Sequence, residues 1–225
     1  MNLLEYLDRI PNPWNVRYLM LIVAASVVAT VFACVRAGSG DVLMGCIILL
    51  VALAAVWFGD RSLQSFRAVF RANRAVKLIV LPLLFGVAPF LTSLVMGNPG
   101  AGGYPAVLSV LFSFVALATR DLEHRVRAES GGSDDIPVHL LYRGFLALIS
   151  TVFFFLGVVT LWPWLGKLYG AGYFWILLIG VLAPTLSLWG KLRQPHKQNS
   201  MAALIRFNRV LPYLGLILLL AIVIG

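Results

Sequence analysis

Two four-residue runs in this chain share one pattern. Arg71-Ala72-Asn73-Arg74 and Arg206-Phe207-Asn208-Arg209 each hold two guanidinium groups three residues apart, with an asparagine between them. A guanidinium presents a planar fork of donors that matches phosphate or carboxylate bidentately. The chemistry on offer is therefore anion recognition: a lipid head group, a phosphorylated solute, or the acidic side chains of a partner protein. Arg67 joins Arg71 and Arg74 on one helical face at i, i+4, i+7, beside an apolar face of Leu63, Phe66, Val69 and Phe70. Arg67, Arg71, Arg74, Arg206 and Arg209 are the expected contacts to anionic lipid or to a partner. The competing explanation, charge that keeps these flanks on the cytoplasmic side, needs charge alone and no fork.

Catalytic chemistry is not legible. The sequence holds no GxSxG, HExxH or P-loop motif. His124, His139 and His196 lack metal-ligand spacing to one another or to a cysteine, and none falls inside an apolar run. Cys34 and Cys46 both lie in apolar stretches and read as small packing residues. No catalytic residue, metal ligand or cofactor site is assigned. Residues 120–137 mix Arg120, Arg125 and Arg127 with Asp121, Glu123, Glu129, Asp134 and Asp135. The front half of that segment is expected to continue the preceding helix, with Asp121–Arg125 and Glu123–Arg127 pairs at i, i+4.

The elements that must position these residues are set by solvent. Of the 225 residues 60% are hydrophobic and only 12% charged, with Lys and Arg in excess for a net +9; the mean hydropathy is +0.91. A soluble domain carries about twice that share of charge, so much of this surface must face lipid. Long apolar runs without strict alternation indicate spanning helices rather than barrel strands. The expected fold is all-α, a polytopic transmembrane bundle of about seven spans over 17–36, 42–59, 78–96, 104–119, 140–162, 173–189 and 210–224. Basic interfacial helices are expected over 61–74 and 200–209, and a Gly/Pro-rich turn over Gly97–Gly103.

With the N-terminus cytoplasmic, all but Arg36 and Lys167 of the 18 Lys and Arg fall on the inner side. That asymmetry predicts an N-in, C-out topology and explains the basic net charge without nucleic acid. A weak internal repeat adds a possible 3+1+3 arrangement. Ile10-Pro11 leads Arg17 as Ile136-Pro137 leads Arg143, and each Arg-x-Asn-Arg run precedes a Leu-Pro, at Pro82 and Pro212.

Inside the spans no ionisable group falls near the centre, which argues against a proton-coupled carrier or a voltage sensor. What remains is hydroxyl, including Ser26, Thr30, Thr92, Ser93, Ser109, Ser113, Thr160 and Thr185. Such groups bond to their own helix, glue helices together, or line a path. Spans three and six carry helix breakers, and Pro82, Gly86, Pro89 and Pro184 are the expected hinge or cavity-lining positions.

The function expected from these features is a non-catalytic transport-type protein, or the membrane subunit of a larger complex, handling solute or lipid. An enzyme acting on lipid phosphate head groups at the cytoplasmic face is the alternative. The expected partners are anionic head groups at the inner face and a cytoplasmic or membrane protein. The expected location is a bacterial inner (plasma) membrane.

Overall fold

The computed structural model describes residues 16–38, 41–54, 76–130, 143–167, 169–193 and 200–224. Among these residues all regular structure is helical. The helices are α1 (Val16–Arg36), α2 (Val42–Ala54), α3 (Leu81–Val95, led by a π-helical turn Val76–Val80), α4 (Pro99–Ser130), α5 (Arg143–Leu165), α6 (Ala171–Leu177 and Ala183–Arg193, joined by a π-helical turn Leu178–Leu182) and α7 (Ser200–Ile224). Four of them, α3, α4, α5 and α7, contain stretches long and apolar enough to cross a membrane. Shorter apolar helices, Ile22–Arg36, Val42–Ala54 and Ala171–Ser187, occupy the other three positions read as spans. The expected helix over 61–74 lies outside the described residues.

α4 and α7 form the centre. α4 packs on α1, α3, α5 and α7, while α7 packs on α1, α4 and α6. Their apolar stretches are 56% and 61% buried inside the bundle, against 39% for α3 and 28% for α5. The outward faces carry exposed Leu, Val and Phe, as a lipid-facing surface requires. α4 sits centrally, and α7 packs directly on α1.

The expected turn over Gly97–Gly103 is shorter than its composition implies. It occupies only the residues around Gly97, whose φ of +74° suits glycine. Asn98 N–H donates to the Ser93 carbonyl at 2.9 Å and Gly97 N–H to that of Leu94 at 3.0 Å, the paired bonds of a Schellman ending. The Asn98 side chain then accepts from Ala101 N–H at 3.3 Å, and Pro99 opens α4 where its missing N–H costs nothing. Gly100, Gly102 and Gly103 are helical despite poor propensity. The reason at Gly102 is packing: a Cβ there would sit 2.2 Å from Ser93 Oγ and 2.8 Å from the Pro89 carbonyl oxygen. Lack of a side chain lets α3 and α4 approach closely, as small residues do between membrane helices.

The two π-helical turns have one cause. A proline ring clashes with the carbonyl four residues earlier and cannot donate to it. For Pro82 and Pro184 that carbonyl belongs to Leu78 and Gly180, and each lies inside a π turn. Widening the turn relieves the clash at the same offset in both helices.

The bundle has two unlike ends. The C-terminal part of α4 meets the N-terminal part of α7 at a basic end. At the opposite end the N-termini of α4 and α6 meet the C-terminus of α5. From the charge distribution the basic end is the one expected to face the cytoplasm. In a background lacking Cys34 and Cys46, cysteines placed at Ser65, Ser130 and Gln198 are therefore expected to resist an impermeant thiol reagent in sealed cells and to react after permeabilisation. Ready reaction from outside would invert the topology.

Candidate functional site

The second Arg-x-Asn-Arg run lies in the first three turns of α7. Residues 200–209, read from sequence as a separate interfacial helix, are continuous with the apolar stretch that follows. Leu204, Phe207, Leu211, Leu214 and Leu218 form its buried stripe, at most 3% exposed, and Asn208 falls within that stripe at 1%. A buried amide needs partners. Asn208 Nδ2 donates to Glu123 Oε2 at 2.7 Å and to the Thr119 carbonyl at 3.2 Å, both on α4.

Glu123 is the centre of this site. It is 3% exposed, one turn after Thr119 on the core face of α4. The same Oε2 accepts from Arg120 Nη1 at 3.2 Å. Asp121, the next residue along α4 from Arg120, pairs with Arg125 at 3.1 Å, as expected for i, i+4. The sequence pairing of Glu123 with Arg127 was expected on the same rule; the Arg127 side chain lies outside the described residues. Arg206 and Arg209 flank Asn208 and are half-buried. Arg120 contacts this carboxylate, and Arg206 and Arg209 stand beside Asn208 along the chain at the same basic end. With Asp121 neutralised by Arg125, this neighbourhood carries excess positive charge, suited to an anion. Arg67, Arg71 and Arg74 lie outside the described residues.

The Asn208–Glu123 link was the part that sequence reading missed. The signal was present: Asn208 keeps register with Leu204, Leu211 and Leu218, and a polar residue in an apolar stripe implies a buried polar partner. The partner itself, 85 positions away, has no local mark.

The breaker residues of α3 gather on one face. Pro82, Gly86 and Pro89 are all buried. Gly86 packs so closely on α4 that a Cβ would fall 2.4 Å from Val110 Cγ2 and 3.2 Å from the Ala106 carbonyl oxygen. Gly86 also forms part of the floor of an apolar groove of about 400 Å³ between α3 and α4, walled by Leu83, Val87, Phe90, Val107 and Val110. Pro184 is half-buried on α6 and is not brought together with them.

At the far end, Tyr173 donates its hydroxyl proton to the Thr160 carbonyl and accepts from the Tyr104 hydroxyl at 2.5 Å. This knot ties α4, α5 and α6 together. Tyr173 is fully buried. The Tyr169 ring lies 4.9 Å from that of Tyr173, tilted by 33°, and burial pushes its phenol above the usual tyrosine range. Among the described residues no group of three His, Cys, Asp or Glu is arranged to hold a metal ion.

Comparison with protein-family models, with curated proteins and with solved structures finds no match to this chain.

Proposed function

We propose that this chain is a non-catalytic membrane protein, of the transport type or a membrane subunit of a larger complex, whose cytoplasmic end binds anionic phosphate groups through Arg206 and Arg209. The reading places it in a bacterial inner membrane. The observation that carries it is the bond from buried Asn208 to buried Glu123. It anchors the start of α7 to α4, so the flanking guanidinium groups are offered from a held backbone rather than from a loose terminus. Preorganised donors lose less entropy on binding, which favours recognition over mere charge placement. By sequence likeness Arg71 and Arg74 serve the same role ahead of α3, with Arg67 beside them. The widened turns ahead of a proline, at the start of α3 and in the middle of α6, supply places where those helices can bend against the fixed α4–α7 pair.

The test is a charge-conserving substitution. Arg206→Lys with Arg209→Lys keeps the charge and the insertion but removes both forks. Purified into nanodiscs, the wild type is expected to retain phosphatidylglycerol over phosphatidylcholine in native mass spectrometry. The double variant should lose about 1–3 kcal/mol of that preference for each charge-assisted contact removed. Equal retention by both proteins would leave these arginines as topology markers. Turnover of the head group by the wild type would favour the lipid-phosphate enzyme instead.

A further inference from the structure

We propose that the groove between α3 and α4 binds one acyl chain of a membrane phospholipid. The groove opens on the outward face of the bundle, where Leu83, Val87, Phe90 and Val107 are each 43–54% exposed. In a chain of this composition that face meets hydrocarbon. None of its nine lining residues has a polar side chain.

The dimensions choose between a lipid tail and a protein. From Gly103 to Leu111 the α4 side of the groove runs about 12 Å, at about 1.5 Å per residue. A volume of about 400 Å³ spread over that length gives a width of about 6 Å. A helix with its side chains is about 10–12 Å across and does not enter. A stable protein interface takes about 20–30 residues a side, against the nine here. An unbranched hydrocarbon tail meets neither limit. The depth agrees. The groove begins about one turn below Pro99, at the end of α4 away from the basic residues, and closes near the middle of the apolar stretch Pro99–Val126. It covers much of one leaflet's hydrocarbon, about 15 Å deep, so a tail lies in it along the direction it already takes in the bilayer.

Gly103 is an independent sign. Glycine is a poor helix former, and its neighbours in this seam have packing causes: Gly102 lies against Ser93 and Pro89, and Gly86 against Val110 and Ala106. Gly103 is helical, and nothing lies within 4 Å of the position its Cβ would take. The space a side chain would fill there is the groove itself.

The experiment places the full chain in phosphatidylcholine nanodiscs, a fraction of whose lipid carries a diazirine near the middle of one acyl chain. The head group has no net charge, so the reading does not depend on Arg206 and Arg209. After irradiation, several-fold more adducts are expected on residues 83–90 and 103–111 than around Phe154 and Phe155 of α5, which are 68% and 55% exposed. Gly103→Leu should bring groove labelling down to the α5 level without changing the α5 labelling or lowering the melting temperature. Val158→Leu, a similar enlargement on the lipid-facing side of α5, should leave groove labelling as in the wild type. Wild-type labelling spread in proportion to exposure would make the groove ordinary lipid contact and overturn the proposal. Undiminished groove labelling in Gly103→Leu, or a cross-link from the groove to a second protein chain, would overturn it too. If Gly103→Leu melts early, the wild-type distribution decides alone.

Discussion

Replacing Glu123 by alanine is expected to lower the stability of the purified protein by about 3 kcal/mol, the bottom of the range for breaking a buried charge pair. Its carboxylate is the acceptor for Asn208 at 2.7 Å and for Arg120 at 3.2 Å, and it is only 3% exposed. Asn208, 1% exposed, then loses its 2.7 Å acceptor, with the Thr119 carbonyl at 3.2 Å remaining. Arg120 suffers less, since 20% of its side chain is exposed and it can turn outward. For a chain of this size the loss corresponds to roughly 6–12 °C in the detergent melting temperature. Glu123→Gln keeps an acceptor for Asn208 and should cost about 1 kcal/mol. Glu123→Leu with Asn208→Leu exchanges the pair for apolar packing and should recover much of the loss, a coupling that a double-mutant cycle reads directly. Additive losses in that cycle would show that the two residues are not energetically linked. Because the pair holds the start of α7, Glu123→Ala should also weaken the lipid preference assigned to Arg206 and Arg209.

The second large effect separates two adjacent glycines. Gly102→Ala puts a Cβ 2.5 Å from Ser93 Cβ and 2.8 Å from the Pro89 carbonyl oxygen, so α3 and α4 must move apart. Overpacking of this kind costs about 1–3 kcal/mol, and backbone in the way places this site at the upper end. Gly103→Ala meets nothing within 4 Å and replaces a poor helix former with the best one. It should be neutral or stabilising by up to about 1 kcal/mol. Melting temperatures of the two variants measured side by side decide it. Equal effects would mean that propensity, and not the α3–α4 seam, sets the stability of this hairpin.

The contrast between these glycines shows where sequence reading stops. Gly97–Gly103 read as one turn because Gly and Pro punctuate chains locally. Only Gly97 needs a left-handed backbone, and Gly102 is required by a neighbour on another helix. The basic segments show the same divide. Their charge and the apolar stripe Leu204–Leu211–Leu218 are visible in one dimension. That residues 200–209 continue into α7, with Asn208 turned inward, follows from the surface of α4.

What the sequence determined by itself is the class of protein and the placement of its apolar helices. In hydrocarbon every backbone polar group must be satisfied within its own segment, so hydropathy and length decide locally where helices lie. Charge on the flanks likewise gives an expected orientation one segment at a time. Tertiary structure alone decided which polar residues meet. Glu123 with Asn208, and Tyr104 with Tyr173, depend on how helices far apart in the chain rotate and pack. Between helices in lipid that choice rests on close fit and on pairing buried polar groups, and neither leaves a periodic trace in the sequence.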